Sequence, residues 1–128
     1  MVILKLSMQE SNNHKFNHLK VHTQYSICEG AIKIEDLKDF CKENRINSVG
    51  LSDTSNLCGS LEFSENISKA GSQPIIGTQI NFKYKNYINL LPIIANNFSG
   101  YKSVINLSSK SKEHIDRTMI HKGTHRFD

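Results

Sequence analysis

The sequence predicts an α/β fold, a mostly parallel sheet carrying one β-hairpin, with the element order β-α-β-α-β-β-α. Three observations predict it. Short apolar or alternating runs at 16–22, 48–52 and 75–84 are separated by stretches with helical spacing at 34–45 and 60–70. Strands that alternate with helices imply parallel strands joined by right-handed crossovers. Two period-two runs, 75–84 and 88–95, then flank Lys85 and Asn86, which is the pattern of a hairpin.

Each element has its own local reason. In 16–22, Phe16, His18, Lys20 and His22 are expected on one face, and Asn17, Leu19 and Val21 on the other. Residues 23–30 form a loop ending in Gly30. In 34–45, Ile34, Leu37, Phe40 and Cys41 recur at helical spacing. Residues 48–52 read as a short buried strand, followed by a loop over 53–59. In 60–70, Phe63, Ile67 and Ala70 share a helix face, and Gly71 is placed to end it. In 75–84, Ile76, Thr78, Ile80, Phe82 and Tyr84 alternate with Gly77, Gln79, Asn81 and Lys83. Pro92 argues that the returning strand is not a central, fully paired one. Asn97 or Ser99 caps a third helix over 101–108, with Tyr101, Val104, Ile105 and Ser108 on one side.

Bulk properties narrow the class. The 128 residues, 38% hydrophobic and 22% charged, suit one globular domain with a modest core. A net charge of +4 is mildly basic, but no Lys/Arg block is long enough to form a phosphate-binding tract. No signal peptide or membrane span is seen, so a cytoplasmic location is expected. Cys28, Cys41 and Cys58 are odd in number and lack zinc-site spacing, so they read as reduced, buried or half-buried thiols. Residues 1–15 read as a flexible arm, 16–109 as the folded domain and 110–128 as a polar, disordered tail. His121 and His125 in that tail lie at helical spacing but lack supporting ligands.

Chemistry-bearing side chains fall at the ends of the first three predicted strands: Lys20 and His22, Asp53 and Thr54, then Gln79. Strand ends converge in an α/β barrel. A hydrolytic metal centre wants several imidazoles and carboxylates. These ends supply one imidazole, His22, and one carboxylate, Asp53, beside a cation, a hydroxyl and an amide. The expectation is a polar network that ties strand ends together, with no metal and with His22 and Asp53 only weak candidates as ligands. The Lys20 ammonium could stand in a metal's place by pairing with Asp53. Ser26 and Cys28 lack a nucleophile motif, Cys58 reads as a packing residue at a helix start, and Glu62 and Glu65 as solvated.

Together, HLKVHTQYSICEGAIKIEDL (18–37), VGLSDTSNLCGSLEFSENISKAGSQPIIGTQIN (49–81) and LLPIIANNFSGYKSVINLSS (90–109) resemble the N-terminal PHP domain of bacterial replicative DNA polymerase III alpha subunits. The patterns HLxVHxxYS, LSDxxNLxGxxEF, KAGxxPIIG and AxNxxGYKxxxxLxS carry that resemblance in combination. It implies a partial, irregular PHP-type (βα)7 barrel. It also implies that Lys20 and His22 occupy the family's His-x-His positions, Asp53 and Thr54 its Asp-His positions, and Gln79 the place of a later acidic ligand. His22 and Asp53 match, whereas Lys20, Thr54 and Gln79 depart, as in members with an inactive, degenerate metal site. No catalytic residue and no cofactor is then expected. The function implied is a scaffold and docking surface in DNA replication. Its partners would be a proofreading exonuclease subunit and the remainder of the polymerase III holoenzyme, with DNA contacted only indirectly and no membrane. The parent family is a DNA-directed DNA polymerase (a nucleotidyltransferase), but the polymerase palm is absent here. The alternative is a Zn- or Mn-dependent PHP-type phosphoesterase or 3′-5′ exonuclease. A barrel needs roughly 200 residues or more, so a truncated product or split-gene fragment is expected, aggregation-prone through exposed strand edges.

Overall fold

The computed structural model describes residues 16–123. Its elements are β1 (His18–Val21), α1 (Ile34–Glu43), β2 (Ser48–Leu51), β3 (Asp53–Thr54), α2 (Ser60–Lys69), β4 (Gln73–Ile75), β5 (Gly77–Tyr84), β6 (Tyr87–Ile94) and α3 (Phe98–Gly123). The expected arm over 1–15, and His125 with its neighbours, lie outside these residues.

The strands form two sheets of three, ordered β1-β2-β4 and β3-β5-β6. Pairing is parallel for β1–β2, β2–β4 and β3–β5, and antiparallel for the β5–β6 hairpin. The expected alternation of strands and helices is therefore observed, with one refinement. Two runs each break once, at Ser52 and at Ile76, so each serves both sheets. Asp53 and Thr54 form the short strand β3 where a loop was expected.

The core is built from helical stripes laid on β2. Ile34, Leu37 and Cys41 of α1, Phe63 and Ile67 of α2, and Val49 and Leu51 of β2 form one buried cluster. Burying Phe63 alone contributes about 1.5–3 kcal/mol. Phe40, expected in the stripe, is half-exposed at the edge of an apolar cavity of about 370 Å³ beside β1. Helix polarity follows the charges. Glu35 and Asp36 open α1 and Lys42 closes it, while Glu62 opens α2 and Lys69 closes it. Gly71, at φ +82°, follows the Ala70 cap of α2 as expected.

Two expectations are corrected. The alternation of β1 is broken by a bulge: His18 pairs with Val49 but Val21 pairs with Leu51, so an extra residue is accommodated between them. His18 and Val21 consequently line the same cavity against α1, although strict alternation would separate them. α3 begins at Phe98, where the Asn97 side chain accepts the Gly100 N–H at 2.8 Å. It continues to Gly123, past the expected end at Ser108 and into the segment read as a tail. Lys110, Lys112, Glu113, Arg117 and Met119 are good helix formers, and no proline interrupts them. The absence of an apolar period hid this extension, because period and propensity are separate signals. Among the described residues, no helix is long and apolar enough to cross a membrane.

Candidate functional site

The site lies where β1 and β2 end and β3 begins. After Val21 the chain turns sharply: the Ser26 N–H donates to the Thr23 carbonyl and the Gly30 N–H to the Ser26 carbonyl, at 2.9 Å each. This fold-back brings Thr23 and Ser26 over the first residue of β3, Asp53. The Ser52 N–H donates to the Val21 carbonyl at 2.8 Å and holds the two strand ends in register.

Asp53 is the hub, with no solvent exposure. Its Oδ1 accepts the Thr23 N–H at 2.6 Å and the Ser26 hydroxyl at 2.7 Å, and its Oδ2 accepts the Thr23 hydroxyl at 2.7 Å. Ser26 Oγ in turn accepts the Thr54 N–H at 3.1 Å. The Thr78 hydroxyl, from β5, donates to the Asp53 carbonyl at 2.7 Å and also contacts the Asn56 carbonyl at 3.1 Å. A buried carboxylate without a cation is tolerable only when such donors replace its hydration.

A second layer is more exposed. His22 Nδ1 stands 3.5 Å from Ser26 Oγ and 3.9 Å from Glu29 Oε2. The Thr54 hydroxyl donates to the same Glu29 oxygen. Tyr25 extends the network toward α2, where its hydroxyl donates to Glu62 Oε2 at 2.6 Å. That bond to Glu62, with desolvation, raises the Tyr25 pKa above its ordinary value. The Tyr25 ring lies so close to Gly59 that a Cβ there would stand 2.5 Å from it, which explains the glycine just before α2.

The predicted residues separate into two groups. His22, Asp53 and Thr54 do come together, joined through Ser26 and Glu29. Gln79 lies beside Thr54 in the β3–β5 pair and is 2% exposed, yet its Oε1 accepts no hydrogen bond among the described residues. Lys20 is exposed on β1 and makes no ion pair with Asp53, contrary to the suggested pairing. Burying an ammonium beside Asp53 would require stripping its water, and neutral donors already take three of the carboxylate's about four lone-pair positions. Thr23, Ser26 and Glu29 join this network, although strand-end reasoning did not place them in it. A Thr-x-x-Ser spacing just after a strand was the available signal, because hydroxyls there bond to nearby backbone.

Three smaller expectations also change. Glu62 is a bonded partner of Tyr25 and not simply solvated. Cys28 and Cys58 are exposed, and only Cys41 is buried. Burial pushes the Cys41 thiol pKa up. Cys58 therefore does not pack at the helix start; its N–H is held by the Asn56 side chain at 3.1 Å.

Among the described residues, no three of His, Cys, Asp and Glu come together to hold a metal. Thr23 and Ser26 take three of the about four lone-pair positions of the Asp53 carboxylate, and the positions beside it at Thr54 and Gln79 offer a hydroxyl and an amide. These residues do not fit a hydrolytic metal centre.

Residues 18–126 match the PHP domain family. DNA polymerase III subunit alpha of Rickettsia felis is 36% identical over 106 residues, covering 82% of this chain and 9% of that protein. The Haemophilus influenzae subunit is 31% identical over 105 residues, covering 79% of this chain and 9% of its own length. The Caulobacter vibrioides subunit is 41% identical over 73 residues, 57% of this chain and 6% of its own. The chain thus spans less than a tenth of these polymerase relatives. Among solved structures, a protein from Bifidobacterium adolescentis described as a metal-dependent phosphoesterase superposes with a TM-score of 0.56 at 17% identity. The superposition covers 70% of this chain and 32% of the other. That likeness bears on the fold alone, and it agrees with the partial PHP-type α/β architecture read from the sequence.

Proposed function

The chain belongs to the PHP domain family, and from that premise we propose that it is a non-catalytic PHP region of a DNA polymerase III alpha subunit. It is homologous to those subunits across most of its length. In this reading it serves DNA replication as a scaffold and docking surface. Its partners are a proofreading exonuclease subunit and the remainder of the polymerase III assembly, and it meets DNA only through them. Lys20, His22, Asp53, Thr54 and Gln79 are the vestigial positions of a metal site.

One observation carries the reading: the Asp53 carboxylate is occupied by Thr23 and Ser26 from within the chain. A carboxylate that serves a hydrolytic metal keeps lone pairs for it. Here three of the about four brace the junction of β1 and β3, and the work done is structural.

The test is metal content together with activity. The purified chain is dialysed against zinc or manganese, its bound metal is measured by elemental emission, and hydrolysis of a chromogenic phosphate ester is followed. The expected result is less than stoichiometric metal and no turnover. Stoichiometric metal, with hydrolysis abolished in His22→Ala, would establish the alternative of a metal-dependent phosphoesterase or exonuclease. Docking is tested separately by titrating the chain with a purified proofreading subunit in a calorimeter, and saturable binding is expected.

A further inference from the structure

A cleft opens between β1 and α1. His18 and Val21 of β1, Val49 of β2 and Phe40 and Cys41 of α1 line it, and it holds about 370 Å³. An apolar void of roughly 150 Å³ already takes up benzene, so this one has room for about two aliphatic side chains. Val49 and Cys41 are buried at its floor, while Phe40 stays half-exposed at its rim. Asp36 is the carboxylate on its wall, and among the described residues no cation pairs with it.

The chain enters this region at the cleft. Phe16 is 74% exposed and packs edge-on against the ring of His18, with 4.8 Å between centroids. Upstream of Phe16 the sequence divides sharply. Residues 2–6 read Val-Ile-Leu-Lys-Leu, aliphatic side chains with one cation, and of residues 7–15 only Met8 is apolar. The stretch 7–15 can extend to about 30 Å, enough for the run before it to fold back from Phe16 to the cleft beside it.

We propose that the run Val2 to Leu6 docks into this cleft, with aliphatic side chains against Val21, Phe40 and Val49 and with Lys5 toward Asp36. Two arguments choose this occupant. Its chemistry matches the site, aliphatic groups for an apolar wall and one cation for one carboxylate. Removing the aliphatic groups from water drives the docking, and the surface ion pair adds little. Its attachment matches as well. A short tether holds the run at an effective concentration in the millimolar range. The same run of a second copy, or an apolar segment of an unlike protein, competes from roughly micromolar solution and is disfavoured about a thousandfold at equal contacts.

In a Cys28→Ser/Cys58→Ser background, Leu4→Cys with Phe40→Cys is expected to form a disulfide within one chain under mild oxidation, from position 4 to position 40 or to the neighbouring Cys41. Met8→Cys with Phe40→Cys is expected to form one at least about tenfold more slowly. A run that moves freely would link position 8 no more slowly than position 4, because position 8 is nearer along the chain. Independently, Ile3→Asp/Leu4→Asp should raise the unfolding equilibrium constant in urea about tenfold or more, with the circular dichroism of the native chain unchanged. Equal linking at positions 4 and 8, linking between chains in place of within one, or an unchanged urea midpoint would overturn the proposal. If the aspartate variant fails to fold, the cysteine comparison still decides.

Discussion

Replacing Asp53 is the sharpest probe of a structural role for the site. Its carboxylate accepts the Thr23 N–H and the hydroxyls of Thr23 and Ser26, all without solvent exposure. In Asp53→Ala the Thr23 N–H cannot reorient, and a buried unmatched donor costs about 1–3 kcal/mol. The two hydroxyls can rotate, but they lose charge-assisted bonds of about 1.5–3 kcal/mol each, partly recovered from other acceptors. A net loss of about 3–5 kcal/mol follows, a large share of the ~5–15 kcal/mol that holds a domain together. Asp53→Asn keeps an oxygen for the Thr23 N–H and offers its amide to the hydroxyl oxygens, so about 1–2 kcal/mol is expected. Urea unfolding followed by circular dichroism measures both. Should the alanine variant not fold, Asp53→Asn, Ser26→Ala and their combination form a double-mutant cycle, with a coupling above ~0.5 kcal/mol expected. Asp53→Ala within about 1 kcal/mol of the parent would refute the claim that this network holds the strand ends.

Further outcomes follow from individual groups. A thiol reagent should label Cys28 and Cys58 rapidly in the native chain and Cys41 only on unfolding, because Cys41 is buried with a raised pKa. Spectrophotometric titration should show the Tyr25 phenol ionising above the ordinary tyrosine range, a shift that Glu62→Gln reduces. Its folded pKa exceeds the unfolded one, so its contribution to stability is complete below about pH 10 and is lost as pH rises through the folded value. Tyr25→Phe should abolish that pH dependence in alkaline unfolding curves. Gly71→Ala, at φ +82°, should lower stability by about 1 kcal/mol in urea, and Gly71→Asn by less.

The sequence by itself determined the element order, the hairpin, the helix faces of Ile34, Leu37 and Cys41 and of Phe63 and Ile67, and the family resemblance. Each is a local periodicity or a contiguous motif. It also located His22, Asp53, Thr54 and Gln79 near one another, because parallel strands align their ends. Tertiary structure decided what sits on Asp53. Lys20 was a reasonable counter-ion on charge alone, but a cation must lose its water to reach a fully buried carboxylate, and the fold-back of Thr23 to Ser26 delivers three donors that need no such dehydration. The bulge in β1 and the division of the strands between two sheets arise from register with neighbours more than 20 residues away, which no local period encodes. Pro92 belongs to the same class: the sequence shows a proline in a strand, and only its place opposite Gln79, in a non-bonded pair of the β5–β6 ladder, shows that its missing N–H costs that ladder nothing.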